Sequence, residues 1–240
     1  MTLSRAPALL RSEGESLSLT TARLYTQRYP WAREAQIYVP VESRFLVCPA
    51  LYQALFYDDS AGTYTEIGPN ITDRDSGTTG SVTAMTSADE LYLFPATPQR
   101  IRGFYVNVDG SNVNANASTM TVNYWNGTAW ADTSATDGTA SGGATLAQDG
   151  EVLWTLPSDE AVHTTGVNGI KGYIYQIVVS ATLSADTAIE ELILLHQNVN
   201  YDYLQPGVST YNADRSGGFV LLVDAGTATA RANWHGSSGA

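Results

Sequence analysis

The side chains with the most chemical capacity in this 240-residue chain are few and scattered. His163, His196 and His235 lie far apart and none stands in HExxH or another metal-ligand spacing, so each reads as a surface or capping residue. Asp58-Asp59 and Glu190-Glu191 are paired acids, but neighbours along a strand point to opposite faces and cannot form a direct acid/base couple. Asp132, Asp137 and Asp149, in a glycine-rich stretch, could offer oxygen ligands to calcium, yet the ligand register of an EF-hand is missing. The nucleophile-elbow, Walker and dinucleotide-binding glycine motifs do not occur. The expectation is therefore no enzyme, no metal and no cofactor. Trp125 and Trp130 leave two readings open: a platform on which sugar rings stack, or the filling of a core or subunit contact. The second is preferred, because large aromatics are usually buried.

These side chains need elements to hold them. In STMTVNYWNGTAW, Met120, Val122 and Tyr124 alternate with Thr119, Thr121 and Asn123, and Asn126-Gly127 supplies a two-residue turn. The pattern predicts a hairpin with Tyr124 across from Ala129, Val122 across from Ala131, and Trp125, Trp130 and Thr121 on the opposite face. One hairpin cannot bury both faces, so a second layer must exist. Short strand patterns recur at 36–39, 44–48 and 91–94, and QALFYD and TYTEI flank a turn cluster at 59–62. Phe104, Val106 and Val108 share a face, and EVLWTLP turns Val152, Trp154 and Leu156 inward. GYIYQIVVS is apolar on both faces, as a doubly covered central strand requires. AIEELILLHQ reads as a strand in which Ile189, Ile193 and Leu195 alternate around Leu192 and Leu194. FVLLVDAG is a last short strand and TATARANWHGSSGA a tail.

Only 15% of residues are charged, and the net charge is −12 with Lys171 as the single lysine. Such a balance argues against nucleic acid as a direct partner, since duplex binding depends on cations that neutralise phosphates. Residues 1–44 hold six arginines against four glutamates, so the remainder carries −14. Residues 1–35, interrupted by Pro7, Gly14 and Pro30, read as an extended arm with room for a short helix over 18–28. Its Arg5, Arg11, Arg23, Arg28 and Arg33, together with Tyr25, Tyr29 and Trp31, form the candidate interface, polar anchors beside apolar ones. Residues 36–197 then form the sandwich and 198–240 a C-terminal extension with one short strand. Cys48 is the only cysteine, which rules out an intrachain disulfide. No apolar run suggests a signal peptide or a membrane span, so synthesis in a cytosol is expected.

Taken together, LYLFPATPQRIRGFYVNV, TMTVNYWNGTAW, SGGATLAQDGEVLWTLPSD and VNGIKGYIYQIVVSA resemble a β-sandwich module of tailed-bacteriophage virion proteins, over about residues 50–195. The resemblance implies an all-β, antiparallel, jelly-roll-like sandwich; the extended N- and C-terminal arms lie outside it and rest on composition alone. It transfers no catalytic residues. The expectation that follows is a non-enzymatic virion protein, first of all a capsid decoration or cement protein. It would be made in the host cytoplasm and form homo-oligomers on the major capsid protein or another virion protein. A tail or baseplate component and a carbohydrate-binding module using Trp125 and Trp130 are the alternatives.

Overall fold

Alternating apolar and polar residues run through most of the chain and fold it into strands. The computed structural model describes residues 10–27, 32–73, 75, 77–96, 99–197, 202–213 and 216–237. In chain order β1 (Leu10–Leu19), β2 (Leu24–Gln27), β3 (Ala32–Val39) and β4 (Ser43–Pro49) come first. Next are β5 (Leu51–Asp58), β6 (Thr63–Glu66), a 3-10 helix (Gly68–Ile71), β7 (Gly80–Ser81), β8 (Glu90–Pro95) and β9 (Ile101–Val108). The middle continues with β10 (Met120–Trp125), β11 (Trp130–Asp132), β12 (Thr136–Asp137) and β13 (Gly150–Leu153). After these stand β14 (His163–Val167), β15 (Ile170–Gly172), β16 (Tyr175–Val179) and β17 (Ala188–His196). Last are β18 (Asp202–Leu204), β19 (Gly207–Asn212), β20 (Ser216–Leu222) and β21 (Ala228–Ser237). The chain is all-β with antiparallel sheets, and it divides into two units, residues 48–199 and residues 1–47 with 200–240.

In the central unit, 48–199, a six-stranded sheet of order β11-β10-β16-β8-β5-β6 and a five-stranded sheet of order β12-β13-β9-β17-β7 share one core. Val122, Tyr124, Tyr175, Ile177, Leu91 and Leu93 line it from the first sheet. Phe104, Val106, Val108, Val152, Leu192 and Leu194 line it from the second, as the alternation of β9 and β13 requires. Burying each such side chain contributes roughly 1.5–3 kcal/mol. Trp154 is buried, while Leu156 lies beyond β13 and is half-buried. The doubly apolar strand β16 sits between β10 and β8.

Two local expectations change. The strand over 188–196 is present, but a bulge between Ile189 and Glu191 moves Ile189 onto the core face with Leu192 and Leu194, away from Ile193 and Leu195. An inserted residue inverts side-chain parity, and alternation alone does not reveal it. The hairpin β10–β11 forms with its register two residues further along than a two-residue turn allows. Trp125 faces Trp130, Tyr124 faces Ala131 and Asn123 faces Asp132. The cause is Asn126, whose Oδ1 accepts from the backbone N–H of Thr128 (3.0 Å) and of Ala129 (2.8 Å) and from the Thr128 hydroxyl. That Asx-type turn makes a four-residue loop, with Gly127 at φ +98°. A shift of two keeps both tryptophans on one face. The same dipeptide at Asn168-Gly169 does make the two-residue turn between β14 and β15: both residues have positive φ, 47° and 81°, and Val167 faces Ile170.

The described residues of the two chain ends, expected as extended arms, instead form strands and turns of the terminal unit. One sheet has the order β1-β21-β3-β19 and another β18-β4-β20-β2. The stretch read as a tail contains the whole of β21, which pairs along its length with β1 on one side and over Arg231–Gly236 with β3 on the other. No helix forms over the described part of 18–28, where β1 ends, the chain turns and β2 begins. Residues 36–47, assigned to the sandwich from sequence, belong to this terminal unit. Its core draws Leu17, Leu19, Ile37, Val39, Ala230, Ala232 and Trp234 from the first sheet and Phe45, Leu204, Phe219 and Leu221 from the second, with Val223 just past the end of β20. Phe45 bridges the two aromatically, with ring centroids 4.2 Å from Tyr211 and 5.6 Å from Phe219. Alternation was present in TATARANW, but its inward residues before Trp234 are alanines, whose weak hydrophobicity resembles a polar loop.

Candidate functional site

The expected interface residues fall in the terminal unit. Arg5, Arg28, Tyr29 and Trp31 lie outside the described residues. Arg11 stands on β1 opposite Gly236, and Arg23 is exposed in the turn before β2. Tyr25 is half-buried on β2 opposite Val220, and Arg33 is exposed on β3. These are residues of paired strands and turns rather than of a loose arm. The three acids considered for calcium serve their own loops. Asp137 accepts from the Thr139 and Thr145 hydroxyls, both at 2.6 Å; Asp132 accepts from Ser134 N–H, and Asp149 from Val108 N–H. Among the described residues no group of three or more His, Cys, Asp or Glu side chains is placed to hold a metal ion.

A richer constellation lies on the outer face of the six-stranded sheet, the face turned away from the shared core. Trp125 and Trp130 meet there edge to face, with centroids 5.6 Å apart. His163, at the start of β14, packs at a tilt against Trp125 at 4.1 Å and approaches Trp130 at 5.4 Å. On the other side Trp130 reaches Tyr92 at 5.9 Å, Tyr92 reaches Tyr64 at 6.4 Å, and Tyr64 reaches Tyr57 at 4.7 Å. Six rings thus form one band from β14 to β6. Parity puts them on this face: Tyr57 pairs with Tyr64 and with Glu90, two positions before Tyr92. The β14–β15 hairpin covers one part of the face, where Val167 and Ile170 pack with Ile174 and Phe94. The other part stays open, and Tyr64 is 38% exposed there.

Polar groups stand among the rings on the same face. Asn123, Gln176, Tyr92 and Leu55 are register neighbours across four strands. Asn123 Nδ2 donates to Gln176 Oε1 (2.9 Å), and Gln176 Nε2 donates to Glu90 Oε1 (2.7 Å). The Tyr92 hydroxyl donates to Glu90 Oε2. Burial, and then the Glu90 contact, raise the Tyr92 phenol well above the ordinary tyrosine range, so it remains a donor. Tyr64 is raised by burial and the Glu90 charge. The result is apolar ring faces beside fixed hydrogen-bonding groups, arranged for binding. Sequence reasoning named the two tryptophans but missed Tyr57, Tyr64, Tyr92, Glu90, Gln176 and Asn123. Hairpin parity could have paired Tyr57 with Tyr64; joining them to Trp130 requires the strand order.

His163 is buried, and its role is local: Nδ1 accepts from Gly166 N–H at 2.9 Å. Burial lowers its pKa from the ordinary 6.5. The unfolded imidazole therefore takes up its proton at higher pH than the folded one. Its contribution to stability is full above about pH 6.5 and is lost as pH falls through the folded value. Urea unfolding of wild type should weaken more between about pH 7 and about pH 5 than that of His163→Asn, which cannot titrate there. Parallel profiles would show that another group sets the acid response.

No protein-family model, curated protein or solved structure matches the chain.

Proposed function

We propose that this chain is a non-enzymatic structural protein of a tailed-phage particle, with a jelly-roll-like central unit, acting as a capsid decoration or cement protein. It holds the head together through contacts with the major capsid protein and with further copies of itself. The observation that carries this reading is an exposed apolar pair on the terminal unit. Val208 and Tyr38 face each other across β19 and β3, 67% and 42% exposed, in a groove of about 560 Å³ that Pro40, Thr229, Arg231 and Asn233 complete. Exposed apolar residues rimmed by polar ones suit a protein partner.

Charge supports the same surface. The terminal unit holds eight arginines against seven acids, whereas residues 48–199 hold four cations against seventeen acids. A near-neutral unit can approach another protein shell without the like-charge repulsion that the acidic unit imposes. The segment resemblance over about residues 50–195 supplies the virion context. Among the described residues no helix is long and apolar enough to cross a membrane.

Co-sedimentation with gradient-purified particles tests the proposal. Wild type should band with particles in stoichiometric amounts. Val208→Glu should weaken that association about tenfold or more while circular dichroism stays unchanged, because the side chain is exposed. Wild type remaining at the top of the gradient, or the variant banding as wild type does, would overturn it.

A further inference from the structure

From the open part of the outer sheet face we infer a second activity: the central unit binds an uncharged oligosaccharide across Tyr57, Tyr64 and Trp130, over a floor of Glu90, Gln176 and Asn123. Three observations carry this and none depends on where the protein resides. First, the ring band continues across the sheet, and its outermost member, Tyr64, is exposed while Tyr57 and Trp130 are half-buried. A sugar ring has an apolar C–H face that packs on an aromatic ring and a rim of hydroxyls that needs partners.

Second, the floor supplies those partners at fixed positions. A carboxylate offers about four acceptor sites. Glu90 uses its two oxygens for one internal donor each, Tyr92 and Gln176, which orients it and leaves capacity for sugar hydroxyls. Asn123 donates its Nδ2 to Gln176 and presents its Oδ1 as a further acceptor. Because Gln176 is buried and bonded on both sides, the row is organised before any ligand arrives, which reduces the entropy lost on binding.

Third, charge selects the occupant. Seventeen acids against four cations in residues 48–199 repel nucleic acids, uronates and sulfated glycans. They also repel the same face of a second copy. The floor carries one carboxylate and no cation, and the acids paired with Leu55 and Asn123 at the ends of that register row are engaged elsewhere: Glu66 accepts from Ala54 and Gly68 N–H, and Asp132 from Ser134 N–H. A neutral, hydroxyl-rich ligand with apolar faces is what remains complementary.

The test uses the full chain on immobilised maltohexaose, cellohexaose, mannohexaose, an N-acetylglucosamine oligomer and, as the acidic control, hyaluronan. Calorimetry follows on any hit. We expect binding to at least one neutral series, weakened about tenfold or more in Tyr64→Ala and in Glu90→Gln. Tyr64 lies at an exposed edge, so the first variant keeps its fold, checked by circular dichroism. Trp130→Phe should retain partial affinity and Trp130→Ala should not. Binding to none of the neutral series, preference for hyaluronan, or equal affinity in wild type and both Tyr64→Ala and Glu90→Gln overturns the proposal. So does a wild-type dimer that Tyr64→Ala dissociates, which would make the face a self-contact.

Discussion

Trp234→Ala is expected to destabilise the terminal unit by about 3–5 kcal/mol, a large fraction of what a domain of this size has to lose. Trp234 is 1% exposed and sits on β21, between β1 and β3. Its indole stacks on Phe219 with centroids 5.2 Å apart, which ties it to the opposing sheet, and Nε1 donates to Glu15 Oε1 at 2.8 Å. Alanine removes the stacking and the hydrogen bond and leaves a cavity among alanines too small to close it. Removing residues 1–35 should be more severe, because β21 then loses its β1 partner entirely and half of β3. Amide hydrogen exchange reads both changes: protection should vanish in β3 and β21 and persist in β9, β10, β16 and β17. Retained protection in β21 would show that the pairing of the two chain ends is not what holds that unit.

The second large effect is expected at Arg100. Glu160, whose side chain is 2% exposed, accepts from Arg100 Nε at 2.7 Å and from the Tyr175 hydroxyl. Arg100 also donates to the Pro157 carbonyl, and Ile101 N–H donates to Tyr175 Oη at 2.8 Å. The set fastens the loop after β13 to the central strand β16. Arg100→Met strands a buried carboxylate, at about 3–5 kcal/mol, whereas Arg100→Met with Glu160→Met should recover part of the loss. Thermal unfolding of the four members of that cycle checks it; additive losses would mean that the pair is not coupled.

Tyr175 adds a pH dependence. Burial first, and then the Glu160 charge, raise its phenol far above the ordinary 10.0. The unfolded chain ionises it near 10, so its stabilising contribution is full below that pH and declines as pH rises beyond it. Tyr105 and Cys48, each raised to about 12 by burial, act in the same direction. Tyr175→Phe should be less stable at neutral pH and lose less on going to about pH 11.

Much of the architecture follows from local rules. Period-two alternation in RGFYVNV, GYIYQIVVS and AIEELILLHQ, and turn residues between them, suffice for strands, inward faces and an all-β fold, because side-chain parity is a property of the strand itself. Local rules fail where a side chain or an inserted residue changes the count. Asn126 lengthens its loop while Asn168 does not, and the bulge at Ile189 inverts a face. The candidate site was half legible: Trp125 and Trp130 share a hairpin, and their common face follows from sequence. Tyr92, Tyr64 and Tyr57 join them only through the strand order β11-β10-β16-β8-β5-β6.

By itself, then, the sequence determined strand content, most inward faces, the scarcity of charge and the pairing of neighbouring strands, all set within a few residues of one another. The tertiary structure alone decided that the two chain ends share a sheet and that rings from β6, β8 and β11 make one band. Those contacts join residues that in β1 and β21 are more than two hundred positions apart, where no local alternation distinguishes one partner strand from another and only the closing of a common core selects it.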